Sequence, residues 1–296
     1  HTLFAPLSFS GIGVHTGQHA IVRLQPAPSN TGIVFRVAGH ENASFGLGSA
    51  TPTAAPHATL LATPCWRLST VEHLVAALWA MRIDNIIITV DGPEMPIMDG
   101  SSLPFILLLQ QAGVQTQEAP RRYLSVAQTK RWEDAKRNGF IEIAPPRVDQ
   151  EELELVYEAE SGTHEMVLTP ELFMREIAPA RTCGLLGQLP QLRAMGLARG
   201  STAGNTIVIG DNRQYLNTPR FADEPMRHKV LDLVGDLMLL GYPLAGSIHA
   251  RNTGHSFNRE VVVDYLSNPL SWFLQPAEQP KDVAIREEQK ECQHQS

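Results

Sequence analysis

The chain has 296 residues, a length that favours two domains at about 150 residues each. Its 24 Lys and Arg against 31 Asp and Glu give a net charge of −7, so it lacks the basic surface of a nucleic-acid-binding protein. Hydrophobic residues make up 43% of the sequence, enough for real cores, but no apolar run approaches the ~18 residues that span a bilayer. Since the first residues do not resemble a signal peptide, we expect a cytoplasmic protein of enzyme size.

Cysteine usage points away from disulfides and from cysteine zinc sites. The three cysteines, Cys65, Cys183 and Cys292, are far apart and odd in number. Histidine occurs 11 times. If the protein binds a metal, we expect histidine and carboxylate ligands.

The first third of the chain has the pattern of strands. Residues 20–24 and 32–37 flank a turn, which predicts a β-hairpin. Residues 41–66, rich in Ala, Thr and Pro, are expected to form irregular strands and loops. A helix should then begin at residues 69–72, Ser-Thr-Val-Glu, which match a capping box.

This helix carries an apolar stripe and should end near residues 84–85, before a β-branched strand at 86–90. A second apolar helix is predicted at 103–112. The polar segment 115–120 ends in proline and is the best candidate for a linker. We therefore divide the chain into a first domain (1–118), a second domain (119–275) and a polar tail (276–296) that frays.

The second half repeats the same order of elements. A well-marked helix has Asp223 as its N-cap and Pro225 in its first turn, and Gly241 stops it. Strands are predicted at 123–127, 140–143, 153–157 and 244–249, with a charged turn at 130–138. In both halves strands precede a helix with a histidine near its start and another strand follows, which indicates two similar α+β domains.

The strongest chemical pattern lies on the second of these helices. His228 and Asp232 are one turn apart and share a face, which Asp236 continues. An imidazole and a carboxylate at this spacing can chelate one divalent ion. Taken alone, a solvated polar stripe is the more common explanation.

Glu72 and His73 form a second candidate half-site. Capping by Glu72 and an interior role for His73 would explain both residues without a metal. Alternatively, the helix N-terminus keeps His73 neutral and available as a ligand, with Glu72 placed to deprotonate a water. Further along, His255 follows Gly254 on an expected loop, where it could serve acid–base chemistry or be an ordinary turn histidine.

Together these residues are sufficient for a catalytic zinc site. Such a site needs three protein ligands, which His73, His228 and Asp232 supply, and Glu72 and His255 remain as base and acid. The zinc-protease motif H-E-x-x-H and the P-loop motif are both absent.

Seven segments resemble, in family order, the zinc-dependent UDP-3-O-acyl-N-acetylglucosamine deacetylases of lipid A biosynthesis. They lie within residues 8–265, at 11–17, 26–32, 69–74, 96–101, 180–182, 227–232 and 254–255. The resemblance implies two similar domains, each with helices layered on a β-sheet, and an active site between them. It also implies a monomer that acts on a UDP-acyl-glucosamine.

The resemblance assigns roles to the candidate residues. One Zn²⁺ would be held by His73, His228 and Asp232, with Glu72 as the base and His255 as the acid. Asp236 would orient His255, Thr182 would stabilise the oxyanion, and Lys229 would add positive charge near the substrate.

The resemblance also implies an insert that encloses the acyl chain. Its expected apolar contacts are Leu185, Leu186, Leu189, Leu192 and Ala198, although some of these could be an ordinary core patch. The chain departs from the family at Cys183, where an aromatic residue is usual, and at Asn252, where a basic residue is usual. Arg251 lies beside Asn252 and is a candidate substrate-binding residue. For the diphosphate, Lys136 or Arg137 is the candidate contact.

Two other classes of function compete with a deacetylase. A metal-dependent phosphoesterase would need a richer carboxylate cluster for a second ion, and none is visible. A non-catalytic module that binds a UDP-sugar or an acyl chain would lack Glu72 or a metal ligand, and all are present.

Overall fold

A computed structural model describes residues 1–49, 52–53, 57–63, 66–147 and 153–276. Within these ranges the strands, in chain order, are β1 (Thr2–Leu3), β2 (Leu7–Ile12), β3 (His19–Pro26), β4 (Ile33–Val37), β5 (His40–Gly46), β6 (Leu60–Thr63), β7 (Trp66–Ser69), β8 (Ile86–Asp91), β9 (Val114–Gln115), β10 (Arg122–Val126), β11 (Lys130–Asp134), β12 (Gly139–Ala144), β13 (Leu153–Ala159), β14 (Gly162–Leu168), β15 (Cys183–Leu185), β16 (Ile207–Ile209), β17 (Leu244–Arg251) and β18 (Trp272–Pro276). The α-helices are α1 (Glu72–Ala80), α2 (Leu103–Ala112), α3 (Pro170–Leu172), α4 (Leu189–Ala194), α5 (Glu224–Leu237) and α6 (His255–Ser267). The predicted α+β class is confirmed.

The first half of the chain builds a five-stranded sheet in the order β2-β3-β8-β4-β5. Alternate residues of β3 are buried, as expected for a strand with one face on the core. The predicted hairpin of residues 20–24 and 32–37 is wrong, because β8 pairs antiparallel with β3 and parallel with β4 and so lies between them. The β-branched run 86–90 thus takes the centre of the sheet, where burial is greatest.

The second half builds a seven-stranded sheet around β17. Strand β12 pairs antiparallel with β17, and β13 pairs with it in parallel. Residues 130–138, predicted as a charged turn, instead form β11 as far as Asp134 and turn only after it. The five-stranded sheet uses only strands before residue 113 and the seven-stranded sheet only strands after residue 121, but the predicted domain boundary at 118 stays a prediction.

Helices α1 and α5, one from each half, pack directly against each other. Every residue of α1 is buried, as expected for a short helix enclosed on all sides. A Cβ atom on Gly235 of α5 would lie 2.3 Å from the Glu72 carbonyl oxygen, so this glycine allows the close approach. The first turn of α1 is thereby brought against the C-terminal half of α5.

The ends of the helices differ from the sequence predictions. The capping box is wrong: Ser69 ends β7, α1 begins at Glu72, and no side chain caps it. The helix also ends at Ala80, before residues 84–85. At α5, Asp223 occupies the N-cap position without a side-chain cap bond, because its carboxylate pairs with Arg227 and His164.

Two sequence predictions concern residues outside the described ranges. These are the fraying tail, described only at residue 276, and the expectation that Cys65 and Cys292 form no disulfide. In the described part of the chain, no helix is both long and apolar enough to cross a membrane.

Candidate metal centre and active site

His73, His228 and Asp232 meet where α1 packs on α5. One donor atom from each lies within 4.8 Å of the other two. Asp232 Oδ1 is 3.3 Å from His228 Nε2 and 3.8 Å from His73 Nε2. All three side chains are almost completely buried. The structure therefore joins the two half-sites that were separate in the sequence.

The donors of this cluster fit a divalent metal ion. Asp232 Oδ1 is buried and has no hydrogen-bond partner in the described part of the chain, so a charged oxygen is left uncompensated. His228 Nδ1–H donates to the Ala180 carbonyl at 2.9 Å, which leaves the lone pair of Nε2 directed at Asp232. Two nitrogens and one carboxylate oxygen form a typical ligand set for catalytic zinc.

The charge states of the cluster also suit a metal site. Burial, together with the nearby ring of His228, lowers the pKa of His73 to about 3, and burial likewise lowers the pKa of His228. Both imidazoles are therefore neutral. Although burial opposes its ionisation, the cations Lys229 and His255 hold the pKa of Asp232 well below its usual range. Burial, and not the helix N-terminus invoked from the sequence, is the main cause of the lowered pKa of His73.

Lys229 and Glu72 flank the cluster. Lys229 Nζ donates to Asp232 Oδ2 at 2.7 Å and reaches the cavity. Burial raises the pKa of Glu72 to about 8, while a bound cation at the cluster would favour its ionised form. The carboxylate accepts the Thr59 N–H at 3.3 Å and lies 3.6 Å from His255 Nε2, so it faces the site instead of capping α1.

His255 is the first residue of α6, with Gly254 as its N-cap. Its predicted position on an exposed loop is wrong, because its side chain is only 12% exposed. Nδ1–H donates to Asp236 Oδ2 at 2.9 Å. Burial opposes protonation, but the carboxylates of Asp236, Asp232 and Glu72 raise the pKa of His255 to about 10. The ring is a cation that can give up a proton from Nε2.

The cluster opens into a cavity of about 790 Å³. We call the part of the lining formed by Glu72, His228, Lys229, Thr182 and His255 the polar end of the cavity, and the part formed by its leucines and Ala198 the apolar end. The apolar end contains every residue proposed for the acyl-chain insert: Leu185, Leu186, Leu189, Leu192 and Ala198.

The structure distinguishes two of the basic residues that are candidates for contact with the substrate. Arg137 lines the cavity and its Nη1 donates to Ser256 Oγ at 3.2 Å. Arg251 does not line the cavity; its guanidinium bonds to Asn138 and lies near Glu158. Cys183, which stands where an aromatic residue was expected, lines the cavity.

Sequence reasoning missed two buried residues behind the site. Thr59 Oγ1 donates to Asp236 Oδ1, and Asn258 Nδ2 donates to Asp236 Oδ2 at 2.8 Å. Asn258 lies one turn after His255, a spacing that could have flagged it. Thr59 lies in a segment rich in Ala, Thr and Pro, where no motif points to it.

Comparison with known proteins identifies the family. The sequence profile of the UDP-3-O-acyl N-acetylglycosamine deacetylase (LpxC) family matches residues 1–267. Proteins named UDP-3-O-acyl-N-acetylglucosamine deacetylase from Syntrophotalea carbinolica, Phenylobacterium zucineum and Vibrio vulnificus are 39%, 38% and 37% identical to this chain. These alignments cover 92% of this chain and 89%, 94% and 91% of the respective relatives. The chain belongs to the LpxC family.

Membership of the LpxC family confirms the resemblance drawn from seven separate segments. The fold shows how distant segments of this LpxC-family chain meet at one cavity. Thr182 N–H, from segment 180–182, donates to the Gly100 carbonyl, from segment 96–101, at 2.8 Å. Segment 69–74 enters α1, segment 227–232 lies in α5, and segment 254–255 starts α6.

Proposed function

We propose that this chain hydrolyses the acetamide of UDP-3-O-(3-hydroxyacyl)-N-acetylglucosamine, releasing acetate and the free amine, as the committed step of lipid A biosynthesis. The observation that carries the proposal is the buried Asp232 Oδ1, unpartnered among the described residues and facing two neutral imidazoles beside Glu72. We assign one Zn²⁺ to His73, His228 and Asp232. When bound, the ion would act as a Lewis acid that polarises the amide carbonyl and makes water at the site more acidic.

Proton transfers fall to Glu72 and His255. Glu72 takes a proton from the attacking water, and His255 gives a proton from Nε2 to the departing amine nitrogen. The C–N bond breaks as this proton arrives, so the amine leaves neutral and acetate remains. Asp236 holds the His255 imidazolium through Nδ1 and stabilises its charge.

The remaining polar residues stabilise charge that develops on the substrate. The Thr182 hydroxyl donates to the oxyanion of the tetrahedral intermediate, and Lys229 supplies a positive charge. The acyl chain lies at the apolar end of the cavity, along the five insert residues. Arg137 is the basic residue assigned to the diphosphate, since it lines the cavity and Arg251 does not. We further propose that the protein is a monomer and that it acts in the cytoplasm.

A phosphoesterase with two metal ions is not favoured. Among the described residues, His73, His228 and Asp232 form the only group able to hold an ion, and a second ion would need further carboxylates. A binding module without catalysis would not need a buried carboxylate and a buried imidazolium beside the ligand set, because both are costly to bury.

The test combines metal content with acetate release. Purified protein should contain one zinc per chain, and its acetate release should stop on chelation and return when zinc is restored. Glu72→Ala should keep the zinc and lose activity by roughly a hundredfold or more. Glu160→Ala is the matched control, because its carboxylate is 73% exposed and pairs with Arg213. Less than one zinc per chain, or full activity of Glu72→Ala, would overturn the proposal.

A further inference from the structure

Thr59 is a buried polar residue that lies behind the cavity wall. It is 6% exposed and precedes β6. Its carbonyl accepts the N–H of Thr70 at 2.9 Å, which ties it to the segment leading into α1. It is absent from the residues that line the cavity, so its side chain does not reach the substrate.

Thr59 touches both groups to which proton transfer is assigned. Its N–H donates to Glu72 Oε2 at 3.3 Å, and its hydroxyl donates to Asp236 Oδ1. The same hydroxyl oxygen lies 3.4 Å from His255 Nδ1. Since Nδ1–H already donates to Asp236, the Thr59 oxygen can only accept a share of that proton.

The hydroxyl of Thr59 determines how the Asp236 carboxylate is oriented. Oδ2 accepts from His255 Nδ1 and from Asn258 Nδ2, whereas Oδ1 accepts from Thr59. An aspartate carboxylate rotates easily about its last torsion, so it keeps one plane only when both oxygens are bonded. Without the hydroxyl, Oδ1 would be a buried charged oxygen with no donor, and rotation would weaken its bond to His255.

We propose that Thr59 is a positioning residue for both the base and the acid. Its N–H orients the Glu72 carboxylate, and its hydroxyl orients the Asp236 carboxylate, which in turn holds His255. The inference rests on the proposed deacetylation. It adds a residue that precedes β6 to a base and an acid that lie on α1 and α6 and to Asp236 on α5. Turnover depends on this residue, while metal binding and substrate affinity do not.

Thr59→Val removes the hydroxyl and keeps the branched shape and the backbone N–H. We expect kcat for acetate release to fall about tenfold, the equivalent of one hydrogen bond to a charged group, with KM and zinc content unchanged. Thr59→Ser should restore activity to within about twofold of the original protein, because it returns the hydroxyl. Thr63→Val is the matched control, since the buried Thr63 hydroxyl on β6 has no partner in the described part of the chain.

A double-mutant cycle tests whether Thr59 acts through Asp236. On a background of Asp236→Ala, Thr59→Val should lower kcat by less than about twofold further, because the group it positions is gone. This comparison holds even if Thr59→Val is somewhat less stable. Full additivity, equal losses in Thr59→Ser and Thr59→Val, or a raised KM with unchanged kcat would each overturn the inference.

A readout independent of turnover is the NMR resonance of the proton on His255 Nδ1 in zinc-free protein. Thr59→Val should shift it and speed its exchange with water, and an unaltered resonance would count against the inference. If the unsubstituted protein releases no acetate, the proposed function fails. If it does and Thr59→Val matches it, only the role of Thr59 fails.

Discussion

At one end of the cavity most functional side chains come from α1, α5 and α6 and are buried, whereas at the other end most come from short elements and are partly exposed. Glu72 and His228 are 2% exposed, but Leu185 and Leu186 are 43% and 46% exposed. No residue of α4, which carries Leu189 and Leu192, is buried. The two ends are therefore held in place by different forces.

At the polar end each charge depends on a particular partner, because a buried unpaired charge is costly. Asp232 has Lys229, and His255 has Asp236. At the apolar end the stabilising force is non-directional and scales with buried area. Substitutions should thus have large, residue-specific effects at the first end and small, graded effects at the second.

The largest effect is expected from the ligand set. Asp232→Ala should lose zinc and lower activity by more than about a hundredfold, since even outer partners of a ligand contribute tenfold to a hundredfold. His255→Ala should keep one zinc and slow turnover. Metal per chain after dialysis and the rate of acetate release distinguish the two variants. His19→Ala, on an exposed residue of β3, should match the original protein, and equal metal loss in the first two variants would contradict the division of roles.

The next effect comes from packing beneath the polar end. Gly235→Ala places a Cβ 2.3 Å from the Glu72 carbonyl oxygen, so α1 and α5 must separate. We expect a loss of about 1–3 kcal/mol in the free energy of unfolding and slower turnover, because Glu72 moves relative to Asp232. Urea unfolding and acetate release check both. Gly204→Ala, whose Cβ would meet only Thr202 Oγ1 at 3.6 Å, should change neither.

Local sequence patterns correctly predicted the elements that depend only on their own run of residues. The helix at Leu103–Ala112 and the strand at 86–90 are examples, because each follows from a run of apolar residues. The hairpin prediction failed because a turn between two strands gives no sign that a later strand lies between them in the sheet. The capping box failed because a distant donor, Thr59 N–H, takes the Glu72 carboxylate.

The candidate site shows the same limit. His228 and Asp232 were found from their spacing on one helix, but Thr59 is 177 residues from Asp236 in the chain. No local spacing encodes such a contact. His255 was placed on a loop because Gly-His-Ser carries no helix-start signal, yet Gly254 takes the N-cap position in an extended conformation.

A smaller effect is expected at the start of α5, where Glu224 ties the segment of Thr182 to the helix. Glu224 is fully buried and accepts from the N–H and guanidinium of Arg181 and from Arg220 N–H. Burial opposes ionisation, but these donors lower the pKa of Glu224. Its contribution to stability is therefore present above the unfolded-state pKa and lost as pH falls.

Glu224→Gln should consequently destabilise the protein by about 1–3 kcal/mol at neutral pH, because a charged acceptor becomes a neutral one. The difference from the original protein should narrow below about pH 5, where Glu224 of the unfolded chain begins to take up a proton while the folded form stays ionised. Urea midpoints measured at intervals from pH 7 to pH 4 check this. A difference that widened toward low pH would show that the sign is wrong.

The smallest effect is expected at the apolar end. Leu186→Ser removes apolar area from a half-exposed position that lines the cavity, so we expect KM to rise by about tenfold or less with kcat unchanged. Leu216→Ser is the control, since Leu216 is 49% exposed and does not line the cavity. Substrates with shortened acyl chains sharpen the test. The KM values of Leu186→Ser and the original protein should converge as the acyl chain shortens, because a short chain no longer reaches Leu186. A loss that appeared in kcat instead would show that this leucine acts on the chemistry of the polar end and not on binding of the chain.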